Sequence, residues 1–197
     1  MIKKIIIVLA ILFLGQLIMS CIFCNCNDPE TYEVNYTSIF VTAFNTAGFM
    51  NTEVEDSVYK NAFGISVSVA SNYVISTNTE SSYFTLGFNS VKACSCVDDT
   101  YIYPDPISFV EILVTDTETN QTNDVTSNFR AQSYYYNHAI TLEQYFNERQ
   151  QWDAWFQFDL VDLENIPDEA IFTINLYLES RTSLSEETKQ INFHKSI

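Results

Sequence analysis

The segment Phe156-Gln157-Phe158-Asp159-Leu160 alternates apolar and polar residues one by one, and the same period recurs along the chain. Successive side chains of a strand point to opposite faces, so a strict two-residue period turns one face to a core and the other to water. "SIFVTAF" puts Ile39, Val41 and Ala43 on one face, and "GISVSVAS" sets Ile65, Val67 and Val69 against Ser66 and Ser68. "AIFTINLYL" sets Phe172, Ile174, Leu176 and Leu178 against Thr173, Asn175 and Tyr177, and "INFHK" turns Ile191 and Phe193 inward. "ISFVEILVT" is apolar on nearly both faces from Ile107 to Val114, as a central strand would be. The 15 Phe and 12 Tyr suit strands as well. About seven strands joined by polar turns predict a mainly β chain, an antiparallel immunoglobulin-like β-sandwich.

One helix is expected beside the strands. In "TLEQYFNERQQW", Thr141 and Gln144 have the spacing of a capping box, and Leu142, Tyr145, Phe146 and Arg149 follow at helical spacing. The stretch 116–128, "DTETNQTNDVTSN", reads as a polar loop. No internal repeat or linker interrupts the chain, so the sandwich domain is expected over 31–197.

The N-terminus has a different character. Lys3 and Lys4 precede an apolar run from Ile5 to Met19, about fifteen residues where a bilayer-spanning helix needs roughly twenty. A basic start, a short apolar stretch and a small residue at its end describe a cleaved signal helix over 1–20. Ile18-Met19-Ser20-Cys21 resembles the bacterial lipobox, which implies diacylglycerol on Cys21, cleavage before it and acylation of the new amino terminus. An ordinary signal peptide cut near Ser20, with Cys21 spare, is the alternative.

Setting Cys21 aside leaves Cys24, Cys26, Cys94 and Cys96, two C-x-C pairs and an even count that fits a disulfide framework in an oxidising compartment. Two such strands side by side allow two cross-strand bridges. These are Cys24–Cys96 with Cys26–Cys94 if antiparallel, or Cys24–Cys94 with Cys26–Cys96 if parallel. Residues 21–30 would then form a lipidated, disulfide-tethered segment ahead of the domain. A four-thiolate metal site is the rival, but structural zinc usually takes C-x2-C or wider spacing, and no metal is expected.

With Lys3 and Lys4 removed, seven basic residues face 25 acidic ones, a formal charge of −18. That excludes nucleic acid, whose phosphates need Lys and Arg, and it leaves the lipid at Cys21 as the means of membrane attachment. Acidity of this degree keeps an exposed protein soluble.

Chemistry is sparse. His138 and His194 are the only neutral-pH acid–base groups, and both are expected at the surface. No G-x-S-x-G elbow or H-E-x-x-H motif is present. Asp116, Glu118 and Asn120 start an EF-hand-like series, but Gln121 and Ser127 stand where glycine and a bidentate glutamate belong, so a solvated hairpin is expected. Tyr134, Tyr135, Tyr136, Trp152 and Trp155 could form a platform for the apolar faces of sugar rings; the plainer expectation is that Trp155 and one or two tyrosines complete the core. No catalytic residue and no cofactor are expected.

The lipobox followed by Cys24, Cys26 and Tyr32, together with the ending "TLEQYF…FQFDL…IPDEAIFTINLYLES…EETKQINF", resembles a family of Bacteroidetes cell-envelope lipoproteins known only as a domain of unknown function. The resemblance implies a sandwich and an envelope location, and it supplies no activity. Where that family carries a glycine-bearing turn after the penultimate strand, this chain has "ESRTSLSEE". Asp56-Ser57-Val58 resembles the O-glycosylation acceptor of the same bacteria. The functional expectation is a lipid-anchored, non-catalytic binding or structural module of the envelope, on the outer membrane rather than the inner because Ile22 is not aspartate. Its partner would be an envelope protein or a glycan. A glycan-binding module and a carboxylate-dependent hydrolase are the alternatives.

Overall fold

The computed structural model describes residues 29–76, 98–132, 139–148 and 154–194. The chain forms two compact units, one from Met1–Glu33 and Val74–Ile102, the other from Val34–Tyr73 and Tyr103–Ile197.

In the first unit, the opening residues of β1 (Thr31–Asn45) pair with β5 (Thr100–Ile102) in parallel, Tyr32 opposite Tyr101. Those two rings stack at 5.6 Å. The backbone N–H of Glu30 donates to the Asp99 carboxylate, and the Tyr32 hydroxyl donates to the Glu30 carboxylate. This hydrogen bond above all, helped by burial and by the charges of Glu30 and Asp99, pushes the Tyr32 phenol up to about 12. A raised folded-state pKa stabilises below the ordinary tyrosine value of about 10, and the contribution is lost between about 10 and about 12. An absorbance titration is therefore expected to show a late-ionising tyrosine that disappears in Tyr32→Phe and moves down in Glu30→Gln. Ionisation of Tyr32 together with the bulk tyrosines would contradict this.

The larger unit is a two-sheet sandwich. Sheet A runs β2 (Thr52–Glu53), β1, β4 (Phe63–Ile75), β10 (Trp155–Leu160), β8 (Phe129–Gln132), β9 (Ala139–Thr141). Sheet B runs β3 (Ser57–Val58), β13 (Ile191–Phe193), β11 (Glu169–Leu178), β6 (Ile107–Asp116), β7 (Thr122–Asp124), with β12 (Ser183–Glu187) also on β11. Among the described residues the first and last strands along each sheet's path are two or three residues long, whereas β12, alongside β11, has five.

The inward residues are those the alternation marks. Ile39, Ala43, Ile65, Val67, Phe156, Phe158, Phe172, Ile174, Leu176, Ile191 and Phe193 are all buried in one core. Its centre is aromatic: Phe63 of β4 lies 5.0 Å from Phe172 of β11 and 5.2 Å from Phe193 of β13, and Phe129 of β8 lies 6.0 Å from Phe172. These rings join the two sheets, and burial of each contributes roughly 1.5–3 kcal/mol. The expected capping box also forms, since the Gln144 N–H donates to Thr141 Oγ1 at 3.2 Å while Gln144 Oε1 accepts from the Thr141 N–H at 3.3 Å. It opens α1 (Leu142–Glu148), which buries Leu142 and sets Phe146 5.4 Å from Phe156.

Several local features depart from the sequence expectation. The described strands number thirteen rather than about seven, many of them short. The sheets are mixed, because β5 runs parallel to β1 and β3 runs parallel to β13. The 116–128 stretch is not all loop: Asn120 at φ 56 turns the chain into β7, and a 3-10 turn covers Thr126–Asn128. Strand β6 is central, yet its outward residues Phe109, Glu111 and Leu113 are at least partly exposed. The glycine-free hairpin after β11 closes because Arg181 adopts φ 71 and the Asp105 carboxylate accepts from both the N–H and the hydroxyl of Ser180.

Candidate functional site

The outer face of sheet A carries two open aromatics, Phe40 and Trp155. With Ile39, Ala43, Phe63, Ile65, Val67, Phe156 and Phe158 turned inward, the pleat turns Phe40, Thr42, Phe44, Gly64, Ser66, Ser68, Trp155, Gln157 and Asp159 outward. Strand β10 is antiparallel to β4, placing Trp155 opposite Ser68, Gln157 opposite Ser66 and Asp159 opposite Gly64. On the other side of β4, Thr46 N–H donates to the Ala62 carbonyl and Thr37 Oγ1 to the Ala70 carbonyl, so β1 is also antiparallel to β4. The Phe44 ring lies against Gly64. The alternation is unbroken from Ile39 to Ala43, so the antiparallel order carried on from Phe44 and Gly64 sets Phe40 toward Ser68. Phe40, Ser68 and Trp155 therefore share one row, and the two aromatics stand two strand spacings apart, roughly 10 Å.

Both aromatics are open, Phe40 at 61% and Trp155 at 57% exposure. Neither stacks on another ring among the described residues. Trp155 thus does not complete the core, contrary to the plainer expectation: as first residue of β10 it falls on the odd-numbered, outward side of Phe156 and Phe158.

The polar groups beside them are already ordered. Asn51 Nδ2 donates to Gln157 Oε1 at 3.2 Å, and Gln157 Nε2 donates to Asp159 Oδ1 at 3.3 Å. Burial pushes the half-buried Asp159 carboxyl above its ordinary value, and the Gln157 hydrogen bond opposes that only in part. Arg130 faces Asp159 across the sheet but directs Nη1 to the carbonyls of Ser127 and Phe129, so its charge is held there.

The outer face of sheet B also carries aromatics, but in a closed arrangement. Phe109 and Tyr177 stack face to face at 4.3 Å with planes 8° apart, so each covers a face of the other. Glu111 accepts from Asn175 Nδ2 at 2.9 Å and from the Tyr177 hydroxyl at 3.2 Å, and Asn175 accepts from Ser185. Burial first, and the Glu111 charge second, raise the Tyr177 phenol. The arrangement is self-satisfied.

Ser57 and His194 meet unexpectedly. Ser57 Oγ lies 3.1 Å from His194 Nε2 because β3 runs beside β13, and the Tyr59 ring packs 4.5 Å from the imidazole. A serine nucleophile also needs a third group to orient its base, and among the described residues no hydrogen bond reaches the other imidazole nitrogen. The hydroxyl of the Asp56-Ser57-Val58 stretch is thus engaged within the fold. An open concavity of about 390 Å³ lies alongside, lined by Asn45, Thr52, Glu53, Val54, Glu55, Asp56 and Ser57. Asp159, the carboxyl that burial raises, does not line it.

The remaining sequence candidates divide simply. Cys21, Cys24, Cys26, Cys94, Cys96, Tyr134, Tyr135, Tyr136, Trp152 and His138 lie outside the described residues. Asp116 caps its own turn, accepting from the N–H groups of Glu118 at 2.8 Å and Thr119 at 3.3 Å. Those bonds hold its carboxyl below the ordinary range. Sequence reasoning missed Phe40 and the Asn51–Gln157–Asp159 chain. The alternation already turned Phe40, Gln157 and Asp159 outward, but only the strand order brings β1 and β10 to either side of β4. No family model, no curated protein and no solved structure matches the chain.

Proposed function

We propose that this is a lipid-anchored cell-envelope protein whose β-sandwich is a non-catalytic binding module, with the outer face of sheet A as its binding surface. The observation that carries the reading is the pairing of two open aromatics, Phe40 and Trp155, with an ordered row of polar side chains on one face. Two aromatics with open faces in one row offer stacking area to a partner. The anchor is assigned to Cys21 from the lipobox, and Cys24, Cys26, Cys94 and Cys96 to two disulfides from their spacing and even number.

Site-directed photo-crosslinking of the full chain in cells tests both parts. A photoreactive residue at Thr42, exposed on this face, is expected to capture an envelope component. The same residue at Thr115, on the outer side of sheet B, is expected to capture none. The Thr42 adduct should vanish in the Phe40→Ala/Trp155→Ala double variant. Equal capture at both positions, or capture that survives the double variant, would remove the binding surface from the proposal. In parallel, Cys21→Ala should leave unprocessed precursor and abolish detergent-phase partitioning of the mature form; normal cleavage and partitioning would remove the anchor.

A further inference from the structure

Resting on that reading, we infer that the ligand of the sheet A face is a neutral oligosaccharide. Its sugar rings stack on Phe40 and Trp155, and its hydroxyls bond to the serines and carboxamides between them.

The first argument is the distribution of apolar surface. The centre of a protein–protein interface is a continuous, charge-depleted apolar patch. Here the apolar area comes as two islands separated by a strand that presents Ser66 and Ser68. A pyranose has the matching form: one face of C–H groups that packs on an aromatic ring, and a rim of hydroxyls that both donate and accept. A short run of linked pyranoses can touch both islands at once, since they lie roughly 10 Å apart across β4.

The second argument is the polar chemistry. Ser66, Ser68 and Thr42 offer hydroxyls, and the Gln157 carboxamide keeps a second N–H after donating to Asp159. Asn51 holds Gln157, and Gln157 holds Asp159, so these groups lose little side-chain freedom on binding. None of them except Asp159 carries charge, and no cation faces the ligand position from β4 or β10. Anionic polymers are excluded by the same reasoning, because the whole chain carries a formal charge of −16.

The third argument is the contrast within the molecule. The Phe109–Tyr177 pair also lies on an outer sheet face, but each ring covers one face of the other, and Glu111 has its own partners. Phe40 and Trp155 are left open on a face where every neighbouring polar group suits a hydroxyl.

The test is affinity electrophoresis of the full mature chain in detergent through native gels containing neutral glucans, mannans, galactans or xylans, with polygalacturonate as the anionic comparison. At least one neutral polysaccharide is expected to retard the wild type. Trp155→Ala and Phe40→Ala should each weaken that binding tenfold or more without changing the thermal midpoint, and Phe109→Ala should bind as wild type. Absence of retardation by every neutral polysaccharide, with Thr42 crosslinking intact, would overturn the sugar assignment and leave the binding face standing with a protein partner. Retardation unaffected by both aromatic substitutions, or produced by polygalacturonate alone, would also overturn it. Loss of both retardation and Thr42 crosslinking in the wild type would remove the face itself.

Discussion

Phe172→Ala is expected to lower the unfolding free energy by about 3–5 kcal/mol, a large share of what a domain of this size holds. Phe172 is fully buried and its ring meets Phe63 and Phe129 from sheet A as well as Phe193 from its own sheet. Removing it opens a cavity where the two sheets meet, and rigid strands on both sides limit collapse into the space. The backbone of Phe172 is also held unusually. Its N–H donates to Thr188 Oγ1 at 3.0 Å and its carbonyl accepts from the Thr188 N–H at 2.9 Å. Thr188 thereby closes the ladder where the edge of β11 passes from β12 to β13. Urea titration followed by tryptophan fluorescence is the measurement: the midpoint should fall with the slope unchanged. Phe172→Leu, which keeps most of the volume, should lose much less. A loss below about 1 kcal/mol for the alanine variant would mean that the four-ring cluster does not join the sheets in solution.

Sandwich architecture was legible in the chain for a physical reason. A half-buried strand must alternate, and a sequence as regular as "AIFTINLYL" has few other ways to bury Phe172, Ile174, Leu176 and Leu178 together. The Thr141–Gln144 box was legible because capping is local, settled within one turn of helix. What escaped the reading depends on partners far apart in sequence. Thr188 and Asn128 are buried polar residues, and their roles appear only once Phe172 and the carbonyls of Asp162 and Glu164 are brought to them. Lys60 is similar: it reaches both the Ile166 carbonyl and the Asp168 carboxylate at 2.7 Å, more than a hundred residues away. The hairpin after β11 escaped for a different reason. Glycine is the usual occupant of a left-handed turn position, and no glycine in "ESRTSLSEE" marks the place that Arg181 takes.

The candidate face shows the same division between local and distant information. That Trp155 points outward follows from the alternation in its own strand, and the expectation that it fills the core set that period aside in favour of residue size. That Phe40 stands across from it does not follow from any short stretch, because β1 and β10 are separated by more than a hundred residues and meet only through β4. Aromatic content alone suggested the chemistry now proposed. Strand order supplied the address.

Gly64→Ala is the sharpest test of how that face is built. A Cβ at Gly64 would stand 2.4 and 2.6 Å from two atoms of the Phe44 ring and 3.0 Å from Asp159 Oδ1. Gly64 has no positive φ, so alanine meets no backbone strain, and restriction of the unfolded chain by itself would favour the variant by about 0.4–1 kcal/mol. The clash must exceed that gain. Phe44 is buried and cannot swing freely into solvent without exposing its ring, so a net loss of about 1–3 kcal/mol is expected, the range for forcing extra volume into packed structure. Phe44→Ala should be destabilising alone, yet in that background Gly64→Ala should cost little or nothing, giving a coupling energy above about 1 kcal/mol. Simple additivity would show that Phe44 does not lie over Gly64. The same cycle reports on the proposed binding surface, because the displaced ring and the second contact, to Asp159, both bear on the ordered row that runs through Gln157 to Asn51. If a polysaccharide retards the wild type, single Gly64→Ala protein, assayed at temperatures where it remains folded, is therefore expected to bind it several-fold more weakly, although neither Gly64 nor Phe44 is one of the two proposed stacking residues.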